Sequence, residues 1–292
     1  MSRITVLGTG AMGSRMAANL LKQNHAVTVW NRSQQRTEPL VERGAIAAET
    51  PLAAVQNADF VISMVRDDEA SQQVWLAEKT GAIWGLKPKT VAIESSTLTV
   101  KWVKQLAQQF ANRQLSFLDA PVAGSRPQAD TAQLIYLVGG DASTLETARP
   151  VLEAMGSAIH HAGKAGSGTA IKLAVNALFG TQAAAMAELI SFMESCGLDK
   201  SRAVDILTAT PVCSPAAKAL AEAIVASKFS PLFPVDLAEK DLGYLSATAS
   251  EQQIDVPIGK STRQVFKKAI AQGYGADNIT GVAKLYLSTH HS

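Results

Sequence analysis

Three glycines near the start of the chain, in Gly8-Thr9-Gly10-Ala11-Met12-Gly13, constrain its fold more than any other feature. They follow a β-branched run at residues 4–7 and precede an alanine- and leucine-rich stretch at 14–23. A strand that enters a glycine turn and leaves as a helix opens a βαβ unit. Gly8 lets the chain turn sharply, Gly10 lets a pyrophosphate approach the backbone, and Gly13 lets helix pack closely on strand. The N–H groups around Ala11 and Met12 then lie at the positive end of the helix, where an anion is favoured. The alternative is a glycine turn in a parallel sheet with no ligand.

The pattern continues for half the chain. Residues 26–30, 60–65, 90–95, 116–122 and 134–140 read as strands, with helical stretches such as 36–43 and 100–112 between them. Apolar runs alternating with helices predict an α/β domain built on a doubly wound, mostly parallel sheet. The strand pattern stops near His161, and a glycine-rich hinge follows at residues 163–168. Beyond it the chain is helical in character, at 165–196, 200–209, 214–226, 235–250 and 257–272. The first of these joins the two parts as one long helix. With 292 residues the chain suits two domains, placed at 1–163 and 164–292.

Composition narrows the partners. Hydrophobic residues make up 47% and charged residues 18%, which disfavours disorder. Net charge is +2, from 27 basic and 25 acidic residues, and no basic stripe points to nucleic acid. An acidic ligand must therefore be caught by a local site. The apolar stretch 165–190 carries Lys172, Asn176 and Glu188, so it reads as a buried helix and not a membrane span. The opening residues run into a strand without a charged leader, which predicts a cytoplasmic chain. Cys196 and Cys213 read as free thiols. The five histidines, His25, His160, His161, His290 and His291, show no spacing with a carboxylate or cysteine that suits a metal.

The ends of the strands carry the candidate contacts, because ligands bind outside the carboxyl ends of parallel strands. After the second strand an enzyme that uses NAD usually places Asp or Glu; here the sequence is Asn31-Arg32-Ser33, with Arg36 one turn on. Guanidinium groups without a neighbouring carboxylate suit a 2′-phosphate and point to NADP, unless they are ordinary surface charges. The third strand runs out at Met64-Val65 and the fourth near Thr97, whose hydroxyl falls near the nicotinamide end or caps the next helix. The fifth ends in Asp119-Ala-Pro-Val-Ala123-Gly124-Ser125, where backbone amides can cradle a carboxylate.

Lys172 and Asn176 lie four apart on the long helix, on one face of an apolar stretch. A buried lysine needs a partner or a task, unless its stem snorkels to water. If a hydride reaches a carbonyl carbon, a fixed ammonium stabilises the charge on oxygen and donates a proton. Asn176 is placed to hold Lys172. Further along, "FPVDLAEKDLGYL" supplies Phe233, Lys240 and Asp241; in isolation it is also a helix with one apolar face and a solvated charge pair.

Four of these motifs occur together in order: GTGAMG, DAPVAGS (119–125), GKAGSGTAIKLAVN (163–176) and EKD (239–241). With them the chain resembles the β-hydroxyacid dehydrogenases, the 3-hydroxyisobutyrate dehydrogenase-like family, over nearly its whole length. The resemblance implies a Rossmann-type domain followed by an all-helical domain of the 6-phosphogluconate dehydrogenase C-terminal type. It implies action on a small hydroxy acid or aldehyde acid with NAD or NADP, and assembly as a homodimer or homotetramer. It places Lys172 as the catalytic lysine with Asn176 beside it, Lys240 against the cofactor, Asp241 in the substrate region and Phe233 on the pocket wall. Residues 120–134 look closer to the glyoxylate and succinic semialdehyde reductase branch than to the tartronate semialdehyde branch. Ala123 stands where the family usually has serine, which admits a bulkier or less polar substrate. Two rival readings are an imine reductase, which typically lacks a lysine at this position, and a non-catalytic NADP-binding module.

Overall fold

The computed structural model describes residues 1–287; His290 and His291 lie outside the described residues. The chain divides into two compact units, Met1–Lys172 and a second beginning at Leu173.

The first unit is the α/β half. Its chain runs β1 (Arg3–Leu7), α1 (Gly13–Lys22), β2 (Ala26–Trp30), α2 (Glu38–Val41), β3 (Ile46–Ala47), α3 (Pro51–Val55), β4 (Phe60–Ser63) and α4 (Asp68–Leu76). It continues through β5 (Val91–Glu94), α5 (Val100–Ala111), β6 (Ser116–Asp119), β7 (Val122–Ala123), α6 (Arg126–Asp130), β8 (Leu134–Gly140), α7 (Ala142–Glu153) and β9 (Gly156–Gly163). The strands form one sheet in the order β3-β2-β1-β4-β5-β6-β8, with β7 and β9 also paired to β8. From β3 to β6 every pairing is parallel.

Alternation along the strands separates two cores. Ile62, Ile93 and Leu118 join Met16, Leu20 and Leu152 on one face. Their sequence neighbours Val61, Ala92 and Phe117 join Trp75, Leu106 and Phe110 on the other. Successive strand side chains point to opposite faces, so continuous apolar strands such as Phe60–Ser63 require helices on both sides.

Two details depart from the sequence reading. Residues 116–122 are not one strand: β6 ends at Asp119, and the chain steps over Ala120-Pro121 into β7. Pro121 has no N–H to continue a ladder. The strand β8 then runs antiparallel to β6, so the sheet is parallel-dominated and not wholly parallel. An apolar strand buried on both faces has the same pattern in either direction.

The second unit is helical. The helix α8 (Ser167–Ser195) enters it, followed by α9 (Lys200–Thr208), α10 (Pro215–Val225), α11 (Val235–Glu251), α12 (Pro257–Ala271) and α13 (Lys284–Leu287). Helix starts are set by local chemistry. Asp199 accepts the Arg202 N–H, and Ser214 accepts the Ala217 N–H ahead of Pro215. Both are standard N-caps, and proline suits the first helical position because its missing N–H would be unpaired there. The core gathers Ala183, Ala187 and Ile190 of α8 with Leu220, Ile224, Leu242 and Phe266. Among the described residues α8 is the helix long and apolar enough to cross a membrane by length and composition. The face opposite the core leaves Ile171, Val175, Leu178, Leu189 and Phe192 exposed.

The units divide between Lys172 and Leu173, slightly later than the 163/164 boundary drawn from the sequence. The first turn of α8 is held by hydrogen bonds to the end of β6, described below.

Candidate active site

The glycine turn has the geometry its sequence demands. Gly8 has φ +99°, and a Cβ there would meet the Met64 carbonyl oxygen at 2.3 Å. A Cβ at Gly13 would lie 1.9 Å from the Gly8 oxygen. Gly10 differs: among the described residues nothing lies within 4 Å of its Cβ position. No neighbouring atom of the described residues requires a glycine there, and a side chain would project into the open space in front of the turn. Among the described residues no side chain caps α1, and its first turn carries no acidic residue. The Ser14 and Arg15 N–H groups bond to the Gly10 and Met12 carbonyls, and the positive end of the helix dipole favours a phosphate in front of the turn.

The end of β2 braces this turn. Asn31 Oδ1 accepts the Thr9 N–H at 3.1 Å, and its Nδ2 donates to the Ser33 carbonyl at 3.0 Å. Thr9 Oγ1 donates to the Arg36 carbonyl at 3.2 Å. Asn31 thereby shapes the loop, while Arg32, Ser33 and Arg36 are exposed beside it. A groove of about 540 Å³ borders the turn, lined by Gly10, Ala11, Ser14, Arg15, Arg36 and Arg43 among others. Asp130 also lines the groove and pairs with Arg15 at 2.8 Å. Arg15 and Arg43 are not legible as groove residues in the sequence, because only the approach of α1 and α2 brings them beside Arg36.

The next strand ends are tied together from below. Met64 donates its N–H to the Leu7 carbonyl at 2.9 Å, and Val65 donates its N–H to Ser96 Oγ at 2.8 Å. Ser96 in turn donates its N–H to Glu94 Oε1 at 3.1 Å. Glu94 is fully buried, and its Oε2 accepts from Ser71 Oγ at 2.7 Å and Trp75 Nε1 at 2.8 Å. Burial pushes the Glu94 carboxyl above the usual range, against the pull of its donors. Thr97 is half-buried, and the hydroxyl that caps α5 belongs to Thr99, which accepts the Trp102 N–H at 3.1 Å. The capping alternative for Thr97 therefore falls away.

The DAPVAGS segment divides by role. Ala123 pairs with Ile135 on β8, and Gly124 has φ +113°. Ser125 donates its N–H to Gln128 Oε1 at 3.0 Å, half of a capping box that starts α6. Asp119 does not open toward a ligand. It is fully buried and accepts hydrogen bonds from Gly166 N, Thr169 N and Thr169 Oγ1 at the start of α8. Burial raises its carboxyl to about 6, with the Thr169 and Gly166 donors opposing and the Glu94 charge adding slightly.

On α8, Lys172 and Asn176 are each 8% exposed, so most of the Lys172 side chain is enclosed. Asn176 Nδ2 donates to Asp241 Oδ2 of α11 at 2.6 Å. Lys240 Nζ lies 2.8 Å from Asp241 Oδ1 and 4.3 Å from the Tyr244 ring centre. Asp241 is 3% exposed and the Lys240 side chain 15%, so the EKD segment is not a solvated charge pair. Phe233 packs at the edge of the helical core, and its N–H donates to Asn278 Oδ1 at 3.0 Å.

Comparison with known proteins covers both halves of the chain. Residues 3–163 match the family model of the NAD binding domain of 6-phosphogluconate dehydrogenase. Residues 166–286 match that of the NAD-binding part of NADP-dependent 3-hydroxyisobutyrate dehydrogenase. Glyoxylate/succinic semialdehyde reductase 2 of Arabidopsis thaliana is 32% identical, covering 96% of this chain and 78% of its own. NAD-dependent L-serine dehydrogenase of Pseudomonas aeruginosa is 32% identical, covering 98% of both. The structure of Mycobacterium tuberculosis 3-hydroxyisobutyrate dehydrogenase with L-serine superposes with a TM-score of 0.90 at 29% identity, covering 98% of this chain and 99% of that one. A dinucleotide turn with an open Gly10, a helical second unit and matches along both halves lead to one conclusion: the chain belongs to the β-hydroxyacid dehydrogenase family, the 3-hydroxyisobutyrate dehydrogenase-like oxidoreductases with nicotinamide-dinucleotide-binding domains.

Proposed function

We propose that this oxidoreductase uses NADP(H) to interconvert a small aldehyde or keto acid and its hydroxy acid, with Lys172 as the proton donor and acceptor. The observation that carries the reading is a lysine 8% exposed on an apolar helix, one turn before an asparagine bonded to a buried aspartate. The dinucleotide's pyrophosphate would rest on Gly10, Ala11 and Met12, where the backbone is open. Its 2′-phosphate would meet Arg32 and Arg36, beside a strand end that offers Asn31 and no carboxylate.

The bound nicotinamide supplies or takes up the hydride. In reduction the Lys172 ammonium holds the carbonyl oxygen and passes it a proton as negative charge develops there; the neutral amine regains a proton from water. In oxidation the neutral amine takes the alcohol proton. Asn176 is fixed by Asp241, which leaves its carbonyl oxygen oriented for a neighbour. Lys240 is the cofactor contact of α11. In the first unit the segment Ala123-Gly124-Ser125 is the candidate for the acid-binding end, Ser125 through its side chain since its N–H is taken by Gln128. In the second unit Asp241 and Phe233 are the candidates for substrate contact. Thr97, Met64 and Val65 line the nicotinamide end. We place the enzyme in the cytoplasm, as a homodimer or homotetramer that covers the exposed apolar face of α8.

The test is Lys172→Ala, assayed by NADPH absorbance against glyoxylate, succinic semialdehyde, methylmalonate semialdehyde and cyclic imines. Turnover of an aldehyde acid should collapse while NADPH binding, read by fluorescence, persists. Undiminished turnover in the variant, or turnover of cyclic imines alone, overturns the reading.

A further inference from the structure

The start of α8 lacks the side chains that usually cap a helix. With Ser167 as the first helical residue, the cap position is Gly166, whose carbonyl accepts the Ala170 N–H at 3.0 Å. Glycine has no side chain to receive the N–H three residues on, and Thr169 stands where Glu or Gln would complete a capping box. Asp119, from the end of β6, supplies both missing acceptors. Its Oδ2 accepts Gly166 N at 2.9 Å and Thr169 N at 3.0 Å, and its Oδ1 accepts Thr169 Oγ1 at 2.6 Å.

The surrounding backbone is fitted closely to this clamp. A Cβ at Gly168 would lie 2.1 Å from the Leu137 carbonyl oxygen and 2.8 Å from that of Asp119. A Cβ at Gly139 would lie 2.7 Å from the Lys164 oxygen and 3.0 Å from Asp119 Oδ2. The first turn of α8 is thus pressed onto β8 and β6 and cannot slide without breaking hydrogen bonds. Thr169 and Lys172 are three apart, neighbours along one helix face.

We propose that Asp119 is a positioning residue for the reaction: its carboxylate seats the first turn of α8 and so fixes where Lys172 presents its amine. The inference rests on the reading of Lys172 as the proton donor. Asp119 itself is fully buried, and both of its carboxylate oxygens accept from the start of α8. The rest of the DAPVAGS motif shapes the ligand side of the strand end, and its first residue serves the helix.

The experiment uses the full chain with Thr169→Val, Thr169→Ser and Asp119→Asn. Two readouts are taken: amide hydrogen exchange of peptides covering residues 164–176, and kcat and KM for NADPH and for the aldehyde acid turned over best. Thr169→Val removes one donor and leaves the carboxylate in place. It should speed exchange at the start of α8 and lower kcat about tenfold or more, as misplacement of a reacting group does. The KM for NADPH should stay within about twofold, since the glycine turn is untouched. Thr169→Ser restores the hydroxyl and should return kcat to within about twofold of the parent. Asp119→Asn should show the faster exchange more strongly; if it fails to fold, the threonine pair decides. Parent-like exchange or parent-like kcat in Thr169→Val, or equal losses in the valine and serine variants, overturns the proposal. Lys172→Ala separates the two readings: full turnover there removes the role of Lys172, while the exchange data still report on the clamp.

Discussion

Glu94 and Trp75 meet in the core beneath the strand ends, where the indole N–H donates to the carboxylate Oε2 at 2.8 Å. Ser71 Oγ shares that oxygen and receives the Trp102 indole N–H at 3.0 Å. The carboxylate therefore ties α4 and α5 to the loop that carries Ser96 and Thr97. Truncation would strand buried donors on Trp75, Ser71 and Ser96, each costing about 1–3 kcal/mol. Glu94→Ala should lower stability by at least ~2 kcal/mol in denaturant melts, while Glu94→Gln, which keeps one acceptor oxygen, loses less. Equal stability of the alanine variant and the parent would show that this network does not hold the strand ends.

The glycines of the turn should separate in their effects. Gly13→Ala places a methyl 1.9 Å from the Gly8 oxygen, and such overpacking costs about 1–3 kcal/mol or more. Gly10→Ala meets open space, so its melting temperature should stay near that of the parent. Its KM for the dinucleotide should nevertheless rise at least about tenfold, because the methyl occupies the approach of the pyrophosphate. A Gly10→Ala enzyme with unchanged KM would place the cofactor elsewhere.

Cofactor choice should follow the charges after β2. In Arg32→Glu/Arg36→Glu two possible phosphate partners become like charges. The kcat/KM with NADPH should fall about a hundredfold, roughly what losing two charge-assisted hydrogen bonds implies, while that with NADH holds or rises. An unchanged ratio of the two would assign these arginines to the surface alone.

Asp119 gives stability a pH dependence of defined sign. Its folded pKa, about 6, lies above the ordinary 3.8. The contribution is therefore fully present below about pH 4 and is lost as pH rises through 6, a swing of roughly 3 kcal/mol for about two pKa units. Asp119→Asn, neutral throughout, should lack this component. Chemical melts of both proteins at pH 4, 5, 6 and 7 test it; parallel stability curves would show that the carboxyl titrates at its ordinary value in the fold.

The exposed face of α8 makes a prediction about assembly. Leu178 is 63% exposed and Phe192 61%, on a helix whose opposite face is packed. Light scattering should find the parent oligomeric, and Leu178→Glu should shift it toward monomer by placing a charge in an apolar contact. A monomeric parent protein would remove this reading.

The glycine turn and the spacing along α8 are legible in the sequence, and the reason is local. Gly8, Gly10 and Gly13 answer to backbone geometry within one turn, and Lys172 and Asn176 to the period of one helix. Glu94 and Asp119 were illegible as supports because their partners are remote in sequence: Ser71 and Trp75 for one, Gly166 and Thr169 for the other. The one available hint was negative, a helix starting at Ser167 with a glycine at its cap position. In isolation the Lys240 and Asp241 pair reads as a solvated charge pair, since adjacent residues on a helix do not disclose that both are enclosed; it is the family resemblance that singles the two out. The direction of β8 was likewise hidden, because the hydrophobic pattern of a strand carries no polarity.

The antiparallel turn taken by β8 has a consequence for where ligands can lie. Carboxyl termini of strands line up side by side only from β3 to β6, and Asp119 is the final residue of that row. Past it the neighbouring strand offers its opposite end, so the shelf on which a dinucleotide can stretch stops there. The last carboxyl end of the shelf is used as an anchorage, and a longer ligand would have to leave the sheet at this point.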